Sequence, residues 1–186
     1  MRVEFRYFTQ MIGINGFGRI GRLILRSTFE NPRGIKVAAV NDPNMDVDAF
    51  RYLLKYDSAH NRFPHHVEKW EHGVIVDGHK IRLHSEKDPA NIPWGDHNVT
   101  SVMESTGVFL TTEKASAHLR GGAKKVVISA PPKDDTPLFV YGVNHHEYKS
   151  SLNVVSNASC TTNCLAPIAK VLHDNYKITE GTFFIM

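Results

Sequence analysis

The run Gly16-Phe-Gly18-Arg-Ile-Gly21 limits what this chain can fold into more than any other segment. It is a G-x-G-x-x-G turn, preceded by an apolar stretch that reads as a strand over residues 10–15. A helical pattern over residues 19–30 follows it. In that setting each glycine has a separate physical task. Gly16 permits the tight turn, Gly18 lets a pyrophosphate approach the backbone, and Gly21 lets the helix pack against the strand. The unpaired N–H groups and the dipole at the start of the helix then favour an anion. A dinucleotide site also needs an acid about 20 residues further on, at the end of the next strand. Asp42 stands there, after Lys-Val-Ala-Ala-Val-Asn41. Its carboxylate suits an adenosine ribose and opposes the 2′-phosphate of NADP. The competing reading is a turn cap before Pro43.

The remaining pattern alternates strands and helices, which argues for an α/β fold with a mostly parallel sheet. In the first helix Ile20, Leu23, Ile24 and Ser27 fall at helical spacing and are expected to be its buried face. Strands are expected over residues 36–41, 99–104, 125–129, 138–143 and 153–156. Helices are expected over 46–54, 112–119 and 160–175, and a new strand at 181–186. Residues 65–83 read as an antiparallel hairpin excursion about the Asp77-Gly78 turn. Most Tyr, Phe and Trp positions read as core. The resulting fold is Rossmann-type and doubly wound. The 186 residues are 41% hydrophobic and 22% charged with a net charge of +3, ordinary values for a globular protein. No basic run marks a nucleic-acid partner, the densest pair being Lys124-Lys125. No stretch approaches the roughly 20 apolar residues of a membrane span, and no secretory leader is apparent. The N-x-S/T matches at Asn98 and Asn157 are therefore read as chance.

Two cysteines, Cys160 and Cys164, exclude a disulfide scaffold and read as free thiols of a reducing compartment. Ser156-Asn-Ala-Ser-Cys160-Thr-Thr-Asn-Cys164 joins a strand to a helix. Cys160 falls at the helix start, where dipole and free N–H groups favour a thiolate, the form that attacks an aldehyde. Ser159, Thr161 and Thr162 add donors suited to phosphate. Cys164, one turn on, is expected to be a small buried hydrophobe. The pairs His65-His66 and His145-His146 lack the spacing of a zinc site, so no metal is expected.

Taken together, GINGFGRIGR, VNDP, ESTGVF, GGAKKVVISAP and SNASCTTNCLAP resemble the phosphorylating glyceraldehyde-3-phosphate dehydrogenase family, from about residue 11 to 181. The resemblance implies a division into an atypical extension (1–10), an NAD-binding domain (11–159) and the truncated start of a catalytic domain (160–186). It implies NAD as cofactor, held by Asn15, Gly16, Gly18, Arg19, Ile20, Gly21, Asp42, Lys87 and Ser129. Arg19 and Ile20 match the pyrophosphate-contacting pair, and Lys87 the adenine side. Cys160 matches the nucleophile, and Ser159 and Thr161 match positions that touch substrate or inorganic phosphate. The implied reaction converts glyceraldehyde 3-phosphate, NAD and phosphate to 1,3-bisphosphoglycerate and NADH through a cysteine thioester in the cytoplasm, with full activity not expected of this chain alone. Full-length members are expected to be homotetramers. The family's cysteine-activating histidine falls beyond Met186, so both ends read as those of a fragment, a truncated gene model or an alternative transcript. Two alternatives stand beside this reading. One is a non-catalytic NAD-binding or interaction module, and the other is a related enzyme such as erythrose-4-phosphate dehydrogenase.

Overall fold

In the computed structural model, which describes residues 9–184, the glycine-rich turn joins strand β1 (Gln10–Asn15) to helix α1 (Arg19–Glu30). The chain continues through β2 (Ile35–Asn41), α2 (Val47–Lys55) and a small hairpin of β3 (Tyr56–Asp57) and β4 (Asn61–Arg62). Next come β5 (Val67–Trp70), β6 (Gly73–Val76) and β7 (His79–His84), then β8 (Ser101–Glu104). Two short helical turns follow, α3 (Thr112–Ala115) and α4 (Ala117–Arg120), then β9 (Lys125–Ile128), β10 (Val154–Ser156) and α5 (Cys160–Tyr176).

The main sheet has the order β10-β9-β8-β1-β2-β7-β6-β5, parallel from β10 to β7 and antiparallel across β7, β6 and β5. The hairpin about Asp77-Gly78 is present, with φ of 45° and 82° as a tight primed turn requires. Its last strand does more than return the chain: β7 pairs in parallel with β2 and so belongs to the central sheet. After β7 the chain crosses back to lay β8 on the other side of β1. That reversal creates a crevice at the C-terminal ends of β1 and β8, the place where open α/β sheets bind ligands.

Two cores flank β1 and β2. Ile12, Ile14, Leu25, Val37, Val40, Phe50 and Leu54 form one, with Phe17 from the glycine turn buried among them and its ring 4.1 Å from that of Phe50. Trp94, Ala39, Val99 and Val102 form the other.

Several expectations need correction. The fully buried positions of α1 are Gly21, Leu25 and Arg26; of the expected face only Ile24 packs against the core, while Ile20 and Ser27 are exposed and Leu23 is half-buried. The reason is Gly21: a Cβ there would lie 2.1 Å from the Gly16 carbonyl oxygen, so the helix touches the turn at that position. Ile20, Leu23, Ile24 and Ser27 flank an open apolar groove with Ile12, Met103 and Val127.

The helix expected over 112–119 breaks at Ser116, whose hydroxyl donates to the Thr112 carbonyl. Residues 138–143 form no strand beyond one bridge from Leu138 to Ser156. Asn144 takes the Val140 N–H and donates to the Leu138 carbonyl, and Gly142 turns the chain at φ 83°.

Residues 177–184 adopt neither helix nor strand, and Lys177 ends α5 in the left-handed region. The expected strand's last two residues and the first eight residues of the chain lie outside the described ones. Gln10 opens β1, as expected of the strand over residues 10–15, and donates its N–H to the Gly34 carbonyl. Trp94, Phe17, Phe50 and Phe63 are core as expected, whereas Tyr52, Tyr141, Tyr148, Tyr176, Phe183 and Phe184 are exposed. Among the described residues, no helix is long and apolar enough to cross a membrane.

Candidate functional site

The crevice at the strand ends holds a cavity of about 490 Å³. Its walls come from the ends of β1 and β2 (Asn15, Asn41), the glycine turn (Gly16, Gly18), Asp42, Glu86 and Lys87 after β7, and Thr106 and Phe109 after β8. Five residues expected from the sequence therefore meet in one place: Asn15, Gly16, Gly18, Asp42 and Lys87.

The three glycines are distinguishable by what constrains them. Gly16 has φ 89°, and a Cβ there would meet the Thr106 nitrogen at 2.8 Å. Gly21 carries the helix contact already described. Gly18 is different, because its φ of −67° suits any residue and an added Cβ would find no atom within 4 Å. Neither backbone nor packing asks for glycine at 18. The room it leaves opens into the cavity at the start of α1, where unpaired helix N–H groups can receive an anion. This is the space a pyrophosphate needs, so the residues present fit a dinucleotide.

Asp42 makes the turn cap and one further backbone contact. Its Oδ1 accepts the Asn44 N–H at 3.0 Å, the turn cap. Its Oδ2 accepts the Phe17 N–H at 2.9 Å, tying the end of β2 to the middle of the glycine turn. Each oxygen keeps a lone pair for a ribose hydroxyl.

Other expected residues stand apart. Arg19 is exposed and turns to Asp57 (3.4 Å) and Ser58 on the β3–β4 hairpin. Asp57 is a committed anion there: the N–H groups of His60 and Ala59 hold its carboxyl well below the usual carboxylate range. Ile20 lines the apolar groove. Ser129, at the end of β9, donates its N–H to the Glu104 carbonyl and does not line the cavity.

The cysteine loop sits at the same edge of the sheet. β10 lies three strands from β1, roughly 14 Å at about 4.8 Å per strand, and its C-terminal end leads into α5. Ser159 is the N-cap. Its Oγ accepts the Thr162 N–H at 3.0 Å and lies 2.9 Å from the Thr161 hydroxyl. Cys160 occupies the first turn and is exposed, with a free thiol. Cys164 is also exposed, contrary to expectation. The reason is that α5 buries none of its residues: Leu165, Ile168, Val171 and Leu172 all face outward. Among the described residues, no group of three or more His, Cys, Asp and Glu is placed to hold a metal ion.

Residues that line the cavity without having been singled out include Asn41, Glu86, Thr106 and Phe109. The Glu104-Ser-Thr106-Gly-Val-Phe109 run had served the family resemblance only, with no role for its parts. The signal available was position: each follows the C-terminal end of a parallel strand.

Residues 10–112, more than half of the chain, match the family model described as glyceraldehyde 3-phosphate dehydrogenase, NAD binding domain. The chain belongs to this family. Residues 159–186 match the model of the same family's C-terminal domain. The chain is 57% identical over 173 residues to the glyceraldehyde-3-phosphate dehydrogenase of Aspergillus oryzae, covering 93% of this chain and 51% of that protein. It is 58% identical to that of Emericella nidulans and 56% identical to that of Danio rerio, each over 170 residues, 91% of this chain and 50% of the relative. The chain thus spans about half the length of the curated relatives it matches. NAD is the cofactor that goes with the matched domain.

Proposed function

We propose that the chain is the NAD-binding part and cysteine loop of a glycolytic glyceraldehyde-3-phosphate dehydrogenase. Residues 11–159 form the cofactor domain, and residues 160–186 open the catalytic one. The observation that carries this reading is the shared sheet edge. A cradle with room at Gly18 and an acid at Asp42 lies on the same edge as an exposed thiol at a helix start.

In this reading Gly16, Gly18 and Gly21 shape the pyrophosphate cradle, Asp42 holds the adenosine ribose, and Lys87 lies on the adenine side. Asn15, Arg19, Ile20 and Ser129 complete the cofactor set. Arg19, whose own side chain is exposed, reaches it by leaving Asp57, which keeps the Ala59 and His60 N–H groups as partners. The Cys160 thiolate adds to the aldehyde carbon of glyceraldehyde 3-phosphate, forming a C–S bond and placing negative charge on the former carbonyl oxygen. NAD, when bound, supplies the hydride acceptor that turns this adduct into a thioester. Inorganic phosphate then attacks the thioester carbon, the C–S bond breaks, and 1,3-bisphosphoglycerate leaves with Cys160 restored. Ser159 and Thr161 present hydroxyls to the phosphate oxygens.

Two free, exposed thiols suit a reducing compartment, the cytoplasm. The outward apolar face of α5 and the groove beside α1 are surfaces that further protein covers, in keeping with a homotetramer of longer subunits. The test is a single-turnover experiment on the purified protein with glyceraldehyde 3-phosphate, NAD and phosphate, following NADH absorbance. NADH that appears with the wild type and vanishes with Cys160→Ser supports the reading. NADH that persists in Cys160→Ser overturns the catalytic assignment.

A further inference from the structure

A continuous file of buried polar side chains runs beneath the cavity, crossing the ends of β2, β1 and β8. Asn41 Nδ2 donates to Asn15 Oδ1 at 2.8 Å, and Asn41 also exchanges hydrogen bonds with the Glu86 main chain. Asn15 Nδ2 donates to Glu104 Oε2 at 2.7 Å. The same oxygen accepts from His118 Nε2 at 2.9 Å. Glu104 Oε1 accepts the Thr106 N–H at 2.8 Å and the Thr106 hydroxyl at 2.5 Å. Trp94 Nε1 donates to His118 Nδ1 at 3.1 Å and closes the file.

The chemistry of the partners fixes where the protons are. An indole N–H only donates, so His118 Nδ1 is bare and the ring proton sits on Nε2, directed at Glu104. His118 is therefore neutral. Glu104 faces four donors, three from side chains and one from a main-chain N–H, the number a carboxylate can accept. Its side chain is 0% exposed, with no Lys or Arg paired to it among the described residues. Burying a carboxylate charge is expensive, and four donors are what make it tolerable.

Two of the groups that it holds belong to facing walls of the cavity. Asn15 leads directly into Gly16, and Thr106 opens the segment 105–109 that carries Phe109. These walls touch, since a Cβ on Gly16 would fall 2.8 Å from the Thr106 nitrogen. His118 and Trp94 brace the carboxylate from behind, and Trp94 is itself seated against Gly13, where a Cβ would meet its ring at 2.4 Å.

We propose that Glu104 is an ionised positioning residue for the cofactor cavity, clamping Asn15 and Thr106 so that the glycine turn and segment 105–109 keep a fixed gap. The inference rests on the cavity being the NAD site. An amide cannot replace the carboxylate. One of its two atoms is a donor and would face either the Thr106 pair or the Asn15–His118 pair, which are donors too. Glu104→Gln frees one wall of the cavity while the strands beneath remain paired.

The experiment compares wild type, Glu104→Gln and Thr106→Val by amide hydrogen exchange without cofactor and by calorimetric titration with NAD. Thr106→Val removes the hydroxyl's bond to Glu104 and the one it accepts from the Val108 N–H, so exchange is read at the other amides of 105–109, and it serves if the glutamine variant fails to fold. The expected exchange result is faster exchange confined to residues 16–18 and 105–109, with β9 unchanged. The expected titration result is NAD affinity lower on the order of 10-fold for Glu104→Gln and a few-fold for Thr106→Val, as for loss of a hydrogen bond to a charged group. Exchange that rises across β1, β8 and β9 together, or unchanged exchange at 105–109 in both variants, overturns the proposal. So does NAD binding equal to wild type in both. A wild-type protein that bound no NAD would refute the cavity assignment instead, and the exchange pattern would still decide whether the clamp exists.

Discussion

Replacing Asp42 tests the cofactor reading at a residue whose two oxygens can be accounted for separately. Oδ2 holds the Phe17 N–H and Oδ1 the Asn44 N–H, so Asp42→Ala removes both backbone bonds along with the ribose acceptor. The site is half-buried, so the two lost bonds cost stability of about 1.5 kcal/mol each, the low end for bonds to charged groups. The ribose contact contributes about 1–3 kcal/mol to NAD binding, a weakening of roughly 5- to 150-fold. Asp42→Asn separates charge from shape. It keeps one acceptor oxygen, and its amide nitrogen faces one of the two backbone N–H groups. NAD should therefore weaken less than with alanine. The repulsion of a 2′-phosphate disappears in both variants, so NADP should gain on NAD by on the order of 10-fold, a Coulomb effect at a partly screened surface. Calorimetric titration of NAD and NADP against the three proteins, with a thermal melt of each, reads all of these quantities. Unchanged NAD affinity in Asp42→Ala, or an unchanged NAD-to-NADP preference in Asp42→Asn, would refute the assignment.

Gly16→Ala should lose about 2–4 kcal/mol of stability in denaturant melts, since it combines a positive φ with a 2.8 Å clash. Gly18→Ala should melt like the wild type yet bind NAD at least 10-fold more weakly, and equal binding would show that no ligand comes close there. Burial, and then the neighbouring His97, push His84 down to about 4, and its Nε2 lies 2.9 Å from that of His97. The folded state resists protonating His84, so its stabilising contribution is complete above pH 6.5 and is lost as pH falls from 6.5 towards 4. Allowing for screening at a half-exposed group, the loss is about 1 kcal/mol, and stability measured across that range should flatten in His84→Asn. Both cysteines are exposed, so burial cannot separate them. Cys160 should still react faster with iodoacetamide because it lies in the first turn of α5, and mass-mapped labelling that favours Cys164 would contradict its role as nucleophile.

The sequence made the cradle legible because its requirements are local. A strand, three spaced glycines and a helix follow one another in the chain, and Asp42 ends the next strand. The bounds of β1 and α1 were readable for the same reason. What could not be read depends on partners distant in the chain. The fully buried positions of α1 are set by the Gly21 contact with the Gly16 carbonyl, which hydrophobic periodicity does not register, so Ile20 and Ser27 were placed inside. Glu104 and His118 read as ordinary polar residues until folding brings Asn15, 89 positions away from Glu104, within 2.7 Å. Residues 138–143 have strand-like composition, but Asn144 captures their main-chain groups and Gly142 turns the chain. Cys164 looked buried because α5 has an apolar face, and nothing among the described residues packs against that face.

The central claim is that the cavity at the C-terminal ends of β1, β2 and β8 binds NAD. The most direct measurement is an NMR titration of the isotopically labelled protein with NAD, following each backbone amide. The account predicts saturable shifts centred on Gly16, Gly18, Asp42, Lys87 and Thr106, with the largest at Gly18, and much smaller ones for NADP. No saturable shift at those amides, or shifts centred instead on Leu23, Ile24 and Met103 in the apolar groove, would contradict it.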